Sequence, residues 1–108
     1  MNEVDEKELK RIQDEVVETL KTIYDPEIPA DIYNLGLIYD IKYKLPIVEI
    51  DMTLTSPTCP MGEMLEYEIQ TRLKLIRGID DVAVNLVFEP EWNQEMMSEE
   101  AKLKTGLL

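Results

Sequence analysis

Histidine is absent from this sequence of 108 residues, and cysteine occurs once, at Cys59. Without imidazole there is no Ser-His-Asp or Cys-His nucleophilic machinery, and the commonest nitrogen ligand of catalytic zinc is missing. A single cysteine excludes an internal disulfide framework and fits a reducing compartment, so the expected location is cytoplasmic. No apolar run approaches the ~20 residues that span a bilayer. The charged opening MNEVDEKELKR lacks the apolar segment of a secretory signal. Bases are scarce too: Lys plus Arg is 11 against 23 for Asp plus Glu, a formal net charge of -12. Such a surface repels nucleic-acid phosphates and anionic membranes, so neither is expected as a partner; cations or basic proteins suit it better.

What is present reads as one domain over residues 1–108, with an ordinary apolar fraction of 44%. Asp5 and Glu8 resemble a capping box. From there Leu9, Ile12, Val16, Leu20 and Ile23 recur at helical spacing, with charged residues on the other face. This predicts an amphipathic helix of about five turns. Asp25-Pro26 stops it, because proline disfavours α geometry in the residue before it. With Pro29 close behind, residues 25–30 are expected to form a stiff loop. A short turn over 30–34 should end at Gly36 with positive φ.

Two alternating runs follow. Tyr39, Ile41, Tyr43 and Leu45 share one face of the first; Val48, Ile50, Met52 and Leu54 share one face of the second. Period two predicts strands with one buried face, joined as a hairpin at Leu45-Pro46. A second helix is expected from about Pro60 to Arg77, with Met61, Leu65, Ile69, Leu73 and Ile76 as its stripe. Met64 lies beside that stripe and is read as core filler. Gly78 is a natural stop. Val82, Val84, Leu86 and Phe88 then alternate in a third strand, where Ala83 and Val87 suggest cover on both faces. Trp92 is placed in a loop, to cap the core or to sit in a site. Ser98 opens a last short helix that Gly106 ends. The fold class is α+β: a three-stranded sheet with two main helices packed on one face, in the order α-β-β-α-β-α.

The stretch TLTSPTCPMGEML, Thr53 to Leu65, joins the second strand to the second helix and holds Cys59. Pro60 suits the first position of a helix, which sets Cys59 at or just before a helix N-terminus. The free N–H groups and dipole there favour thiolate, the form that acts as nucleophile and metal ligand. Free cysteine also serves as a small buried hydrophobe, and the residues alone leave both readings open.

Three segments together resemble one family. They are DPEIPADIYNLGLIYDI (25–41), MTLTSPTCP (52–60) and EPEWNQEMMSEEAK (89–102). In this order and spacing they resemble the SufT/PaaD-like iron–sulfur cluster assembly domain family, also called the MIP-eighteen family. The resemblance implies a non-enzymatic factor in the maturation of iron–sulfur proteins, acting with SUF-type machinery. Its motif residues fall on Asp25, Glu27, Thr55 and the reactive Cys59. Cys59 is thereby implied as a transient metal ligand, and all four as binding residues for an iron–sulfur cluster. The implied partners are iron–sulfur assembly proteins and client apoproteins. Asn34, Glu91 and Lys102 depart from the family pattern. So does the absence of a C-terminal cysteine cluster, which points away from the oxygenase-maturation branch.

A cluster is usually fastened by four cysteines, so one thiolate cannot hold it alone. A homodimer could bring two Cys59 thiolates together, or a donor or client could share the cluster. The alternative is an adaptor that binds no metal and targets client apoproteins. A thiol redox enzyme would lack both a resolving cysteine and an activating histidine.

Overall fold

The computed structural model describes residues 6–26, 28–55 and 61–106. Helix α1 spans Glu6–Leu20, strand β1 Ile38–Lys44, β2 Ile47–Met52, helix α2 Met61–Leu73, β3 Asp81–Leu86, a 3₁₀ turn Gln94–Met96, and helix α3 Glu99–Thr105. The order is the expected one, with the 3₁₀ turn added. The sheet runs β1-β2-β3, antiparallel between β1 and β2 and parallel between β2 and β3. Helix α2 therefore serves as the crossover between two parallel neighbours.

Alternation placed the core strand correctly. Val48, Ile50, Met52 and Leu54 are all buried, and they meet Ile12, Val16 and Leu20 of α1 and Leu65, Ile69 and Leu73 of α2 in one apolar cluster. The opposite sheet face is polar: Lys42 lies between Glu49 (3.5 Å) and Asp51 (3.6 Å), and Asn85 donates to Asp51 at 3.0 Å. Both main helices thus share the apolar face.

Four local expectations are corrected. First, α1 ends at Leu20, nearer four turns than five; Ile23 is still buried, pinned in the following turn by its N–H to Leu20 (3.2 Å) and its carbonyl to Ile32 (2.9 Å). Second, the β1 register shifts between Ile38 and Asp40. This bulge sets Ile38 opposite Met52 and Ile41 opposite Ile50, so Ile38 rather than Tyr39 joins the core alternation. Third, α2 stops at Leu73, four residues short of Arg77, and turns lead into Gly78 at φ 103. The positive φ favours glycine there, and a Cβ on Gly78 would crowd Ile12 Cδ1 of α1 at 2.8 Å. Fourth, β3 is an edge strand covered on one face only. Val82 is buried but Ala83 is exposed, and Leu86 and Phe88 are partly open.

Met64 is also misplaced by the periodicity reading: it is 67% exposed. Gly62 explains the roll of the helix. It is buried, and a Cβ there would meet Leu86 Cδ1 at 3.1 Å and Leu54 Cδ1 at 3.3 Å. Close approach at Gly62 turns Leu65, Ile69 and Leu73 inward, and at about 100° per residue Met64 then points away.

Candidate functional site

The first and third motifs are built against each other. Gly36, at φ 81, lets the backbone turn so closely under Met96 that an added Cβ would lie 2.3 Å from the Met96 carbonyl oxygen. Around that contact the Trp92 indole N–H donates to the Leu35 carbonyl at 2.7 Å, and the Ser98 N–H donates to the Asn34 carbonyl at 2.8 Å. The Tyr39 hydroxyl donates to the Pro90 carbonyl at 2.7 Å. Trp92 therefore caps the core, as one of its two readings held.

The second motif closes the group. The Thr53 N–H donates to the Leu37 carbonyl at 2.8 Å, tying the end of β2 to the first motif. Asp25 is buried; one oxygen accepts the Ile28 N–H at 3.0 Å, and the other lies 3.5 Å from the Thr55 hydroxyl. The loop bearing Asp25 is held by the Asp25 N–H to the Ala30 carbonyl at 3.2 Å and a bridge between Tyr24 and Asp31. Asp25 and Thr55, 30 residues apart in sequence, are thus brought together where the chain enters the cysteine stretch. Glu27 and Cys59, the other two expected site residues, lie outside the described residues. The helix to which Cys59 leads begins at Met61.

Sequence reasoning missed Asp31. It is buried, and its two oxygens accept the Asn34 backbone N–H and side-chain amide, each at 2.9 Å. Its pattern, an acid three residues before an asparagine, is a turn-cap signal. Asn34 departs from the family pattern with a physical consequence. An amide can donate to Asp31, whereas a carboxylate there would face it with like charge. Lys102, another departure, is half-buried and pairs with the exposed Glu95 at 3.7 Å.

Two small clefts adjoin this region. One, about 110 Å³, is lined by Thr53, Leu54, Thr55, Phe88, Glu91 and Trp92. The other, about 90 Å³, is lined by Tyr24, Pro26, Met64, Leu65 and Glu68. Trp92 therefore also borders a cleft beside Thr55, so its two readings are compatible. Among the described residues no group of three Cys, Asp or Glu side chains is placed to hold a metal ion. With one cysteine and no histidine in the chain, the donor set does not suit a resident cluster.

Comparison with known proteins shows the family. The chain belongs to the iron–sulfur cluster assembly protein family, whose model matches residues 13–86. It is 41% identical over 102 residues to the Fe-S protein maturation auxiliary factor of Porphyromonas gingivalis, covering 94% of this chain and 97% of that one. It is 42% identical over 86 residues to the Fe-S protein maturation auxiliary factor SufT of Staphylococcus aureus, covering 79% and 98%. In structure it is similar to a Bacillus anthracis domain described as of unknown function, with TM-score 0.83 and 32% identity, covering 92% of this chain and 95% of that one. No helix among the described residues is long and apolar enough to cross a membrane.

Proposed function

We propose that this chain is an iron–sulfur protein maturation factor acting in the cytoplasm with SUF-type machinery, and that it is not itself an enzyme. Cys59 is the transient ligand of an iron–sulfur cluster that passes through as cargo, and Asp25, Glu27 and Thr55 shape its pocket. The observation that carries this reading is the meeting of Asp25 and Thr55 at the mouth of the cysteine stretch, in a chain of the iron–sulfur assembly family. The start of α2 two residues after Cys59 supports a thiolate there, through the dipole and unpaired N–H groups of the helix. Carboxylates nearby add oxygen donors and oppose thiolate formation, which suits a ligand that must let go. The remaining ligands come from a partner, a client apoprotein or a second Cys59 in a homodimer.

The test is anaerobic reconstitution of the wild type and Cys59→Ala, with iron and sulfide assayed per chain. Near-equal iron and sulfide with a charge-transfer band, lost in Cys59→Ala, is the expected result. About half a cluster per chain would indicate a site bridged by two chains. Absence of bound iron in a well-folded wild type would replace the carrier with the metal-free adaptor. The exposed Met64 and Tyr67 of α2 favour a protein partner under either reading.

A further inference from the structure

The two main helices differ on their outer faces. Helix α1 shows water a charged face: Lys10 pairs with Asp14 at 3.6 Å, and Arg11 pairs with Glu8 and Glu15. On α2, Met64 is 67% and Tyr67 71% exposed. They stand three residues apart on the side away from the core, and so are neighbours on the helix surface. Next to them Tyr24, half exposed, and Pro26 form the far wall of the 90 Å³ cleft, with Leu65 and Glu68 completing it. Folding does not require these apolar groups to face water. Contiguous exposed apolar surface of this kind marks interaction sites, and methionine and tyrosine are enriched there. The patch is continuous with the functional region, because Asp25 lies between Tyr24 and Pro26 in the chain.

Charge selects the occupant. Glu63 is exposed beside Met64, and Glu68 lines the cleft with its carboxylate 3.6 Å from Arg72 in an exposed pair of little strength. The whole chain carries -12. An acidic partner would be repelled, and a second copy of this chain would bring the same acids to the interface.

We infer that the Tyr24–Pro26–Met64–Tyr67 surface docks a basic segment of a partner protein, seating one apolar side chain in the cleft and setting lysine or arginine against Glu63 and Glu68. This names the partner chemistry of the proposed maturation role and rests on that role. It places docking beside the cysteine stretch, where a client must come to receive a cluster.

The probe is a labelled ten-residue peptide with a single leucine flanked by lysines, titrated into the full-length chain by fluorescence anisotropy. Controls carry glutamate for lysine or serine for leucine. Met64→Ser/Tyr67→Ser changes only exposed groups and should keep the fold. It should weaken peptide binding by about tenfold or more, as loss of an anchoring pair does. Glu63→Lys/Glu68→Lys should weaken it further at low salt than at high salt. Amide shift changes on binding should centre on Tyr24, Met64 and Tyr67. Equal binding of the lysine and glutamate peptides, or full binding by Met64→Ser/Tyr67→Ser, overturns the proposal. So does a wild-type dimer that this variant makes monomeric, for then the face is covered by a second copy. Iron and sulfide loading of the same variant separates the two readings. Normal loading with lost peptide binding supports docking. Failure of loading in the wild type itself strikes the carrier reading and leaves the peptide result standing.

Discussion

Among the described residues, the half of the molecule built by α1 and the β1–β2 hairpin has no fully buried polar residue, whereas the end of the sheet where the three motifs meet gathers them. Among the described residues the buried polar or charged side chains are Asp25, Asp31 and Thr53, and all three lie at that end. Burying a carboxylate costs several kcal/mol unless hydrogen bonds and charge offset it. The apolar half supplies cohesion; the polar end offsets the cost of its carboxylates with hydrogen bonds. Asp31 shows the structural use, with both oxygens satisfied by Asn34. Asp25 accepts the Ile28 N–H with one oxygen and faces Thr55 across 3.5 Å with the other.

Substitutions can test how separate these two regions are. The largest effect is expected from Leu20→Ala in the apolar half. Leu20 is fully buried, and its loss should lower stability by about 3–5 kcal/mol, read from denaturant unfolding. The fraction that stays folded should load iron as the wild type does. Impaired loading in that folded fraction would break the distinction. Gly36→Ala acts on the other region. A left-handed backbone costs a non-glycine residue about 1–2 kcal/mol, and the contact with the Met96 carbonyl adds to it. A total of about 2–3 kcal/mol is expected, with Trp92 emission shifted to the red as its bond to Leu35 is lost. An unchanged spectrum would mean that the third motif docks without this turn.

The smallest effect is a pH dependence on the hairpin side. Burial, with smaller contributions from Tyr33 and Asp14, raises the Tyr43 phenol from the usual 10.0 to about 12. The folded chain therefore keeps a proton that the unfolded chain loses first. The resulting stability is fully present below pH about 10 and is lost as pH rises towards about 12. In Tyr43→Phe this alkaline decline should be shallower than in the wild type, as followed by the denaturant midpoint. Identical declines would show that Tyr43 is solvated in the folded state.

Sequence patterning was most reliable where a segment's neighbours are its own near residues. The stripes of α1 and β2, the Ser98 cap of α3 and the positive φ of Gly36, Gly78 and Gly106 all follow from local spacing and backbone chemistry. It failed where a distant contact intervened. The bulge that exchanges Tyr39 for Ile38 leaves no mark on an apolar alternation, because both residues are apolar enough for either face. Met64 precedes Leu65 by one residue, about 100° round the helix, and the approach of Gly62 to Leu54 and Leu86 decided which of them faces the core. The second face of β3 looked covered because Ala83 and Val87 are apolar, yet Ala83 is exposed and Val87 only half-buried.

By itself the sequence determined the order of elements, the apolar faces, the acidic composition and the single thiol at Cys59. These are properties of composition and of residues two to four apart, which elementary geometry reads directly. Tertiary structure alone decided that Asp25 meets Thr55, that Trp92 closes over Leu35, and that Tyr24 and Pro26 share a cleft with Met64. Those pairs are separated by tens of residues. Their meeting depends on the path of the chain through a shared core, where close packing at Gly36 and Gly62 fixes which faces can touch.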